Sequence, residues 1–154
     1  KRGYWQTVDS KPTSKASWLA NDDVINELNA IKAQHVLLVA DSCFSGTLID
    51  RGLDFDTSEN LSFEVYQRNK KLRVRNGLTS GGLSPVLDNG AEGNHSIFAS
   101  QFLEQLRMIE KPTSGMQIYS GLFDNVKNLA EQEPQYGRLK NSNNKRGAFY
   151  FVKK

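Results

Sequence analysis

The sequence predicts an α/β protein, and three observations carry that reading. Short, continuous apolar runs of strand length alternate with segments whose apolar residues recur at helical spacing. The clearest run, VLLVAD at 36–41, has the valine-rich pattern of a strand buried on both faces of a parallel sheet. No internal repeat or clean linker divides the 154 residues, a length that suits one domain around a single core.

In chain order, residues 3–8 (GYWQTV) alternate enough for a short strand, and a Lys/Pro/Ser loop follows at 10–17. Asn21-Asp22-Asp23 opens a helix with carboxylates in its first turn and Val24, Ile25, Leu28 and Ile31 on one face. The 36–41 strand then stops abruptly at Asp41-Ser42-Cys43-Phe44-Ser45-Gly46. Residues 47–71 carry many charges and no clear periodicity, which predicts a long loop with some helix. Leu72 to Thr79 is a second strand, ending in Ser80-Gly81-Gly82. A loop rich in Gly, Asn and Asp leads to a helix at about 96–109 with Ile97, Phe98, Phe102 and Leu106 inward. A further helix at about 115–131 places Met116, Tyr119, Phe123 and Val126 on one stripe, and AFYFV at 148–152 is a closing strand.

Hydrophobic residues make up 38% and charged residues 24%, a balance that fits a folded domain rather than a disordered chain. The net charge of +3 is mild. Its clusters, Arg68, Lys70, Lys71, Arg73 and Arg75 and then Lys145, Arg146, Lys153 and Lys154, read as solvated faces or loops. No nucleic-acid-binding motif accompanies them, so no nucleic-acid partner is expected. No apolar run approaches the roughly 20 residues that span a bilayer, and there is no signal-peptide pattern, although the chain opens with Lys1. No membrane partner is expected, and the cytoplasm is the default location. One cysteine rules out an internal disulfide, and two histidines without a second cysteine argue against zinc.

Cys43 lies two residues past the strand's carboxyl end, where ligands gather in open α/β sheets. Small residues and a glycine follow it, leaving room for a substrate backbone and backbone N–H groups near a developing oxyanion. A core cysteine would sit inside the apolar run instead. A thiol needs a base to become the nucleophilic thiolate. His35 lies eight residues from Cys43, about 26 Å along an extended chain at ~3.3 Å per residue, at the wrong end of the strand. His95 follows a loop and is not excluded by distance, but it reads first as a polar residue at a helix start. Neither histidine is a convincing base.

HVLLVADSCFSG closely resembles the nucleophile segment of caspase-like cysteine peptidases, whose bacterial and metacaspase members carry Asp-x-Cys-x-Ser-Gly. GYWQTVDS, SWLANDDVINEL, LTSGG and GNHSIFASQFLEQL resemble further segments of that family in the same order, over about 20–109 and more loosely 3–131. The resemblance implies a caspase-like α/β/α sandwich with a mostly parallel central sheet. It implies Cys43 as nucleophile in a Cys-His dyad, with the Cys43 N–H and a glycine N–H beside the histidine forming the oxyanion hole. The family histidine stands about 50 residues upstream of the cysteine, and only 42 residues precede Cys43. The expectation is therefore a fragment that begins just after it, incomplete alone, with a histidine-bearing N-terminal segment or chain as partner.

By the same resemblance Asp41 lines an S1 pocket for Arg or Lys, with Ser80 and Asp88 bordering it, and the substrate is a protein or peptide. No cofactor is required. Asp9, Asp22, Asp23 and Asp50 stand where some metacaspases bind activating Ca²⁺, although a helix cap and solvated carboxylates are the preferred reading. Residues 47–71 occupy the place of the processed linker, and Arg51, Arg68, Lys70 and Lys71 would suit self-cleavage. Two alternatives stay open: an inactive caspase-like scaffold, and an esterase-type enzyme using Cys43 or Ser45. The second is weaker for want of a Gly-x-Ser-x-Gly elbow.

Overall fold

The computed structural model describes residues 3–42, 48–50, 63–81, 95–145 and 147–153. In order these form β1 (Tyr4–Trp5), a 3-10 turn (Lys15–Ser17), β2 (Leu19–Ala20), α1 (Asn21–Ala30), β3 (His35–Ala40), β4 (Ile49–Asp50) and α2 (Phe63–Asn69). They continue as β5 (Val74–Thr79), α3 (Ile97–Arg107), β6 (Thr113–Ser114), α4 (Gly115–Ala130), β7 (Gln135–Leu139) and β8 (Tyr150–Phe151). No helix among the described residues is long and apolar enough to cross a membrane.

The main sheet has the order β3-β5-β7-β4. β3 and β5 are parallel, with His35 opposite Val74 and Ala40 opposite Thr79. β7 runs antiparallel to both β5 and β4. The sheet is thus mixed, not mostly parallel, among the described residues. The helices explain the reversal. A single crossover helix returns the chain for a parallel strand, but here α3 and α4 both intervene. They lie antiparallel: Gln105 reaches the Gly121 carbonyl while Asn125 reaches Gln101. The second helix undoes the first one's return, so β7 enters from the end where β5 left.

Strand alternation sorts the core into two faces. Leu78 and Tyr136, with Leu37, pack with Phe98, Phe102 and Leu106 of α3 and Ile118, Leu122 and Val126 of α4. Leu38 and Leu139, with Leu48, pack with Trp5 and with Ile25 and Leu28 of α1. Helices therefore cover both faces. Ile31 does not join them. It is the residue at which α1 stops, its ψ of 128° turns the chain away, and it is 42% exposed. The α4 stripe also differs from the expected one. Ile118, Leu122, Val126 and Ala130 form the buried row, while Met116, Tyr119 and Phe123 flank it half-buried. The aliphatic i, i+4 row fits close against the sheet, and the larger rings pack at its margin, Tyr119 on Phe123 and Tyr136. A capping box of Ser114 and Gln117 starts α4, and Glu131 ends it at a left-handed φ of 52°.

The strand expected to be buried on both faces is an edge strand: β3 pairs only with β5 among the described residues, and Val39 is 37% exposed. Within 47–71, β4 adds a strand that the pattern did not show, with Ile49 buried opposite Leu139. α2 supplies the helix, and residues 51–62 lie outside the described set. Its last residue, Asn69, donates to the Tyr150 hydroxyl at 3.0 Å. The closing strand is present as β8, but it pairs with β6 rather than the main sheet.

The basic cluster is the largest departure. Arg75 is not on a solvated face: it is fully buried in the central strand. Its guanidinium donates to the carbonyls of Gln34, Val74, Ile31 and Ala33 at 2.7–3.3 Å. Arg73 donates to the Asn29 and Ile31 carbonyls at 2.7 and 3.1 Å. Both cations sit at the C-terminal end of α1, where unpaired carbonyls and the helix dipole favour positive charge. On the other face, Asn144 donates to Asn76 Oδ1 at 2.8 Å, and Asn76 donates to the Tyr136 hydroxyl at 2.6 Å. Burial pushes that hydroxyl's pKa up, against the lowering effect of the Asn76 bond.

Candidate functional site

Because β3 and β5 are parallel, Ala40 and Thr79 end together at one edge of the sheet. The residues just beyond them share that edge, and the Ser80 N–H donates to the Ala40 carbonyl at 3.0 Å. Asp41 follows Ala40 and is exposed. Its Oδ2 accepts a 2.5 Å hydrogen bond from the hydroxyl of Ser96, the residue that caps α3. Among the described residues no lysine or arginine pairs with Asp41, so the carboxylate is anchored on one oxygen and open on the other.

Ser80 is fully buried, and its hydroxyl has no hydrogen-bond partner. Its N–H bond to the Ala40 carbonyl holds its backbone at the strand end that Asp41 follows. Cys43 and Asp88 lie outside the described residues. Ser42, the last described residue before Cys43, is half-buried.

The histidines occupy opposite ends. His35 is the first residue of β3 and stands beside Phe149, with its Nε2 buried and without a partner. It is at the amino end of the strand whose carboxyl end carries Asp41, which agrees with its exclusion on distance. His95 is exposed and immediately precedes Ser96, so it lies at the Asp41 end.

The four carboxylates considered for calcium are dispersed in role. Asp9 is in the loop after β1, where a bond from the Thr7 hydroxyl holds its carboxyl below the ordinary value. Asp22 and Asp23 are exposed in the first turn of α1, and Asp50 is exposed on β4 opposite Arg138. Among the described residues no three His, Cys, Asp or Glu side chains gather in an arrangement that would hold a metal ion.

Two residues at this end escaped the sequence reading. Ser96 stands where the sequence places the start of a helix; its bond to Asp41 spans 55 residues and leaves no local signal. Gln132 is buried in the turn between α4 and β7, with neither amide atom bonded. That turn is at the same end, because Gln135 stands opposite Thr79. A buried, unbonded amide ordinarily costs free energy and is uncommon. Ser80 and Gln132 thus offer unused hydrogen-bonding capacity at the end of the sheet that carries Asp41.

No family model matches the chain, and no curated protein or solved structure matches it either.

Proposed function

We propose that this chain is the nucleophile-bearing part of a cysteine endopeptidase that cleaves protein or peptide chains after Arg or Lys. Cys43 attacks the scissile carbonyl, and a histidine on an N-terminal segment outside this chain manages the protons. The observation that carries the reading is the Asp41 carboxylate. It is exposed, held on one oxygen, unpaired by any described cation, and two residues before the thiol. An anion so placed suits the charge-assisted binding of a guanidinium or ammonium group at P1. Ser80, beside it, adds a hydroxyl with no other commitment. On this reading the fold is the caspase-like sandwich, 47–71 is a linker open to processing, and the cytoplasm is the working compartment.

The test is hydrolysis of fluorogenic peptides ending in Arg, Lys or Asp by the polypeptide that includes the histidine-bearing segment. Cleavage after Arg and Lys is expected, abolished in Cys43→Ala and strongly reduced in Asp41→Asn. Faster turnover of the Asp peptide would overturn the specificity. Silence on all three with the segment present would favour an inactive scaffold of the same fold.

One observation favours a second source for the base. His95 is exposed next to Ser96, at the end of the sheet that carries Asp41. A histidine there would let the chain act without another segment, and cleavage by the 154-residue chain alone would support it.

A further inference from the structure

We infer that Ser96 is the positioning residue for Asp41, the side chain that holds its carboxylate in place to receive a basic P1 group. The inference rests on the peptidase reading above, and it concerns a residue to which that reading gives no role.

The Ser96 hydroxyl has one proton to give and two lone pairs to receive with. One lone pair is committed: Oγ accepts the Ala99 N–H at 2.9 Å and so caps α3. The proton is committed as well, to Asp41 Oδ2 at 2.5 Å. Neither bond leaves the hydroxyl free to rotate. Ser96 is itself 9% exposed, so solvent competes weakly for it. Asp41 is exposed and follows the end of a strand, a setting in which a carboxylate would otherwise sample several rotamers. The bond from Ser96 selects one of them.

The selection has a chemical consequence. With Oδ2 occupied by a neutral donor, Oδ1 is left to face an incoming cation. The carboxylate therefore does not have to be ordered when substrate arrives, and ordering is a cost that weakens binding. The same bond ties the end of β3 to the start of α3, so the anion is referenced to two elements of the scaffold rather than to one strand end. A site built on such elements holds its geometry better than one on a free loop.

The experiment compares Ser96→Ala, Ser96→Thr and Ser96→Asp in the polypeptide carrying the histidine-bearing segment, with melting temperature recorded for each. Threonine keeps both bonds. Aspartate keeps the cap but has no proton to donate and sets a second carboxylate against Asp41. Alanine loses both. For Arg and Lys peptides, KM is expected to rise about tenfold in Ser96→Ala with kcat little changed. Ser96→Asp should raise KM at least as much while melting near the parent, and Ser96→Thr should restore the parent's KM. An unchanged KM in both Ser96→Ala and Ser96→Asp would overturn the proposal, as would a loss of kcat that follows melting temperature.

Agmatine, a guanidinium with no scissile bond, is titrated into the same proteins by calorimetry to separate two kinds of failure. If no peptide is cleaved but agmatine binds and is weakened by Asp41→Asn and Ser96→Ala, the peptidase reading fails and the role of Ser96 stands. If peptides are cleaved after Arg while agmatine binding ignores Ser96→Ala, the reverse holds. Absence of agmatine binding to the parent overturns the proposal.

Discussion

Arg75→Met removes a buried guanidinium while keeping an unbranched apolar stem, and its cost follows from the bonds lost. Two are short: Nη1 to the Val74 carbonyl and Nη2 to the Ile31 carbonyl, both at 2.7 Å. The bonds to Gln34 and Ala33, at 3.3 and 3.1 Å, are longer. Residues 31–34 are exposed, so water can replace the donor at several of these carbonyls, and four bonds do not sum. The two short bonds are worth about 1.5–3 kcal/mol each, as hydrogen bonds to a charged group. Against them stands the desolvation that burial imposes on the cation. The same desolvation, with Arg73 as a second contributor, lowers the Arg75 pKa. Deleting the charge returns that part. The expected net loss is about 2–4 kcal/mol, a large share of the roughly 5–15 kcal/mol typical of a domain. Arg73→Met, at a half-buried position, should lose about 1 kcal/mol. Arg75→Lys should recover less than half of the Met loss, because a single ammonium does not span carbonyls served by two nitrogens. Urea denaturation measures all three, read as a shift of midpoint at constant m-value. An Arg75→Met protein within about 1 kcal/mol of the parent would refute the reasoning: burial would then cost as much as the bonds return.

Three further outcomes are expected. Burial raises the Tyr136 pKa, so above about pH 10 the unfolded chain releases a proton that the native state keeps, and stability falls by about 1.4 kcal/mol per pH unit. Tyr136→Phe should lack that component while losing about 1–3 kcal/mol near neutrality through the stranded Asn76 amide, as thermal melts at pH 8 and 11 would show. His95→Ala should leave cleavage of Arg peptides within about twofold if the base arrives on another segment, and a loss of 10²-fold or more would make His95 the base. A chelator should change neither melting temperature nor rate, whereas a calcium-dependent rise in either, lost in Asp22→Asn with Asp23→Asn, would establish a cation site.

Local signals made part of the fold legible. β3 announces itself as an apolar run, β5 as a strand that stops at Ser80-Gly81-Gly82, and α3 and α4 by helical spacing. What the sequence conceals is pairing. β4 is two residues long and exists through its register with β7, so no window around Ile49 contains the reason for it. The direction of β7 depends on two helices packing antiparallel. Arg75 looks like one member of a basic run, yet three carbonyls from a loop some forty residues away converge on it, beside that of its neighbour Val74. The site divides in the same way. Asp41 and Ser80 were singled out by the family resemblance, and parallel pairing of the strands they follow brings both to one end of the sheet. Ser96 was not, because its partner is distant in sequence.

The apolar character of β3 leads to the last expectation. An edge strand in a soluble protein is normally guarded by charge, proline, a bulge or shortness. β3 is six residues long, HVLLVA, with none of these between His35 and Ala40. Val36, Leu37 and Leu38 are half-buried and Val39 is exposed, although the composition is that of a strand covered on both sides. Another strand beside β3 would pair the edge that no described residue covers and bring chain to the end where Asp41 follows. On the peptidase reading, the histidine-bearing segment is that occupant. Its addition should then do two things together: raise the denaturation midpoint and confer cleavage after Arg. Hydrogen exchange gives the decisive readout. Alternate amides of 35–40, those turned away from β5, should exchange rapidly in the chain alone and become protected when the segment is present. Activity restored without protection of β3 would place the histidine elsewhere. Protection in the chain alone would mean that the edge is already covered.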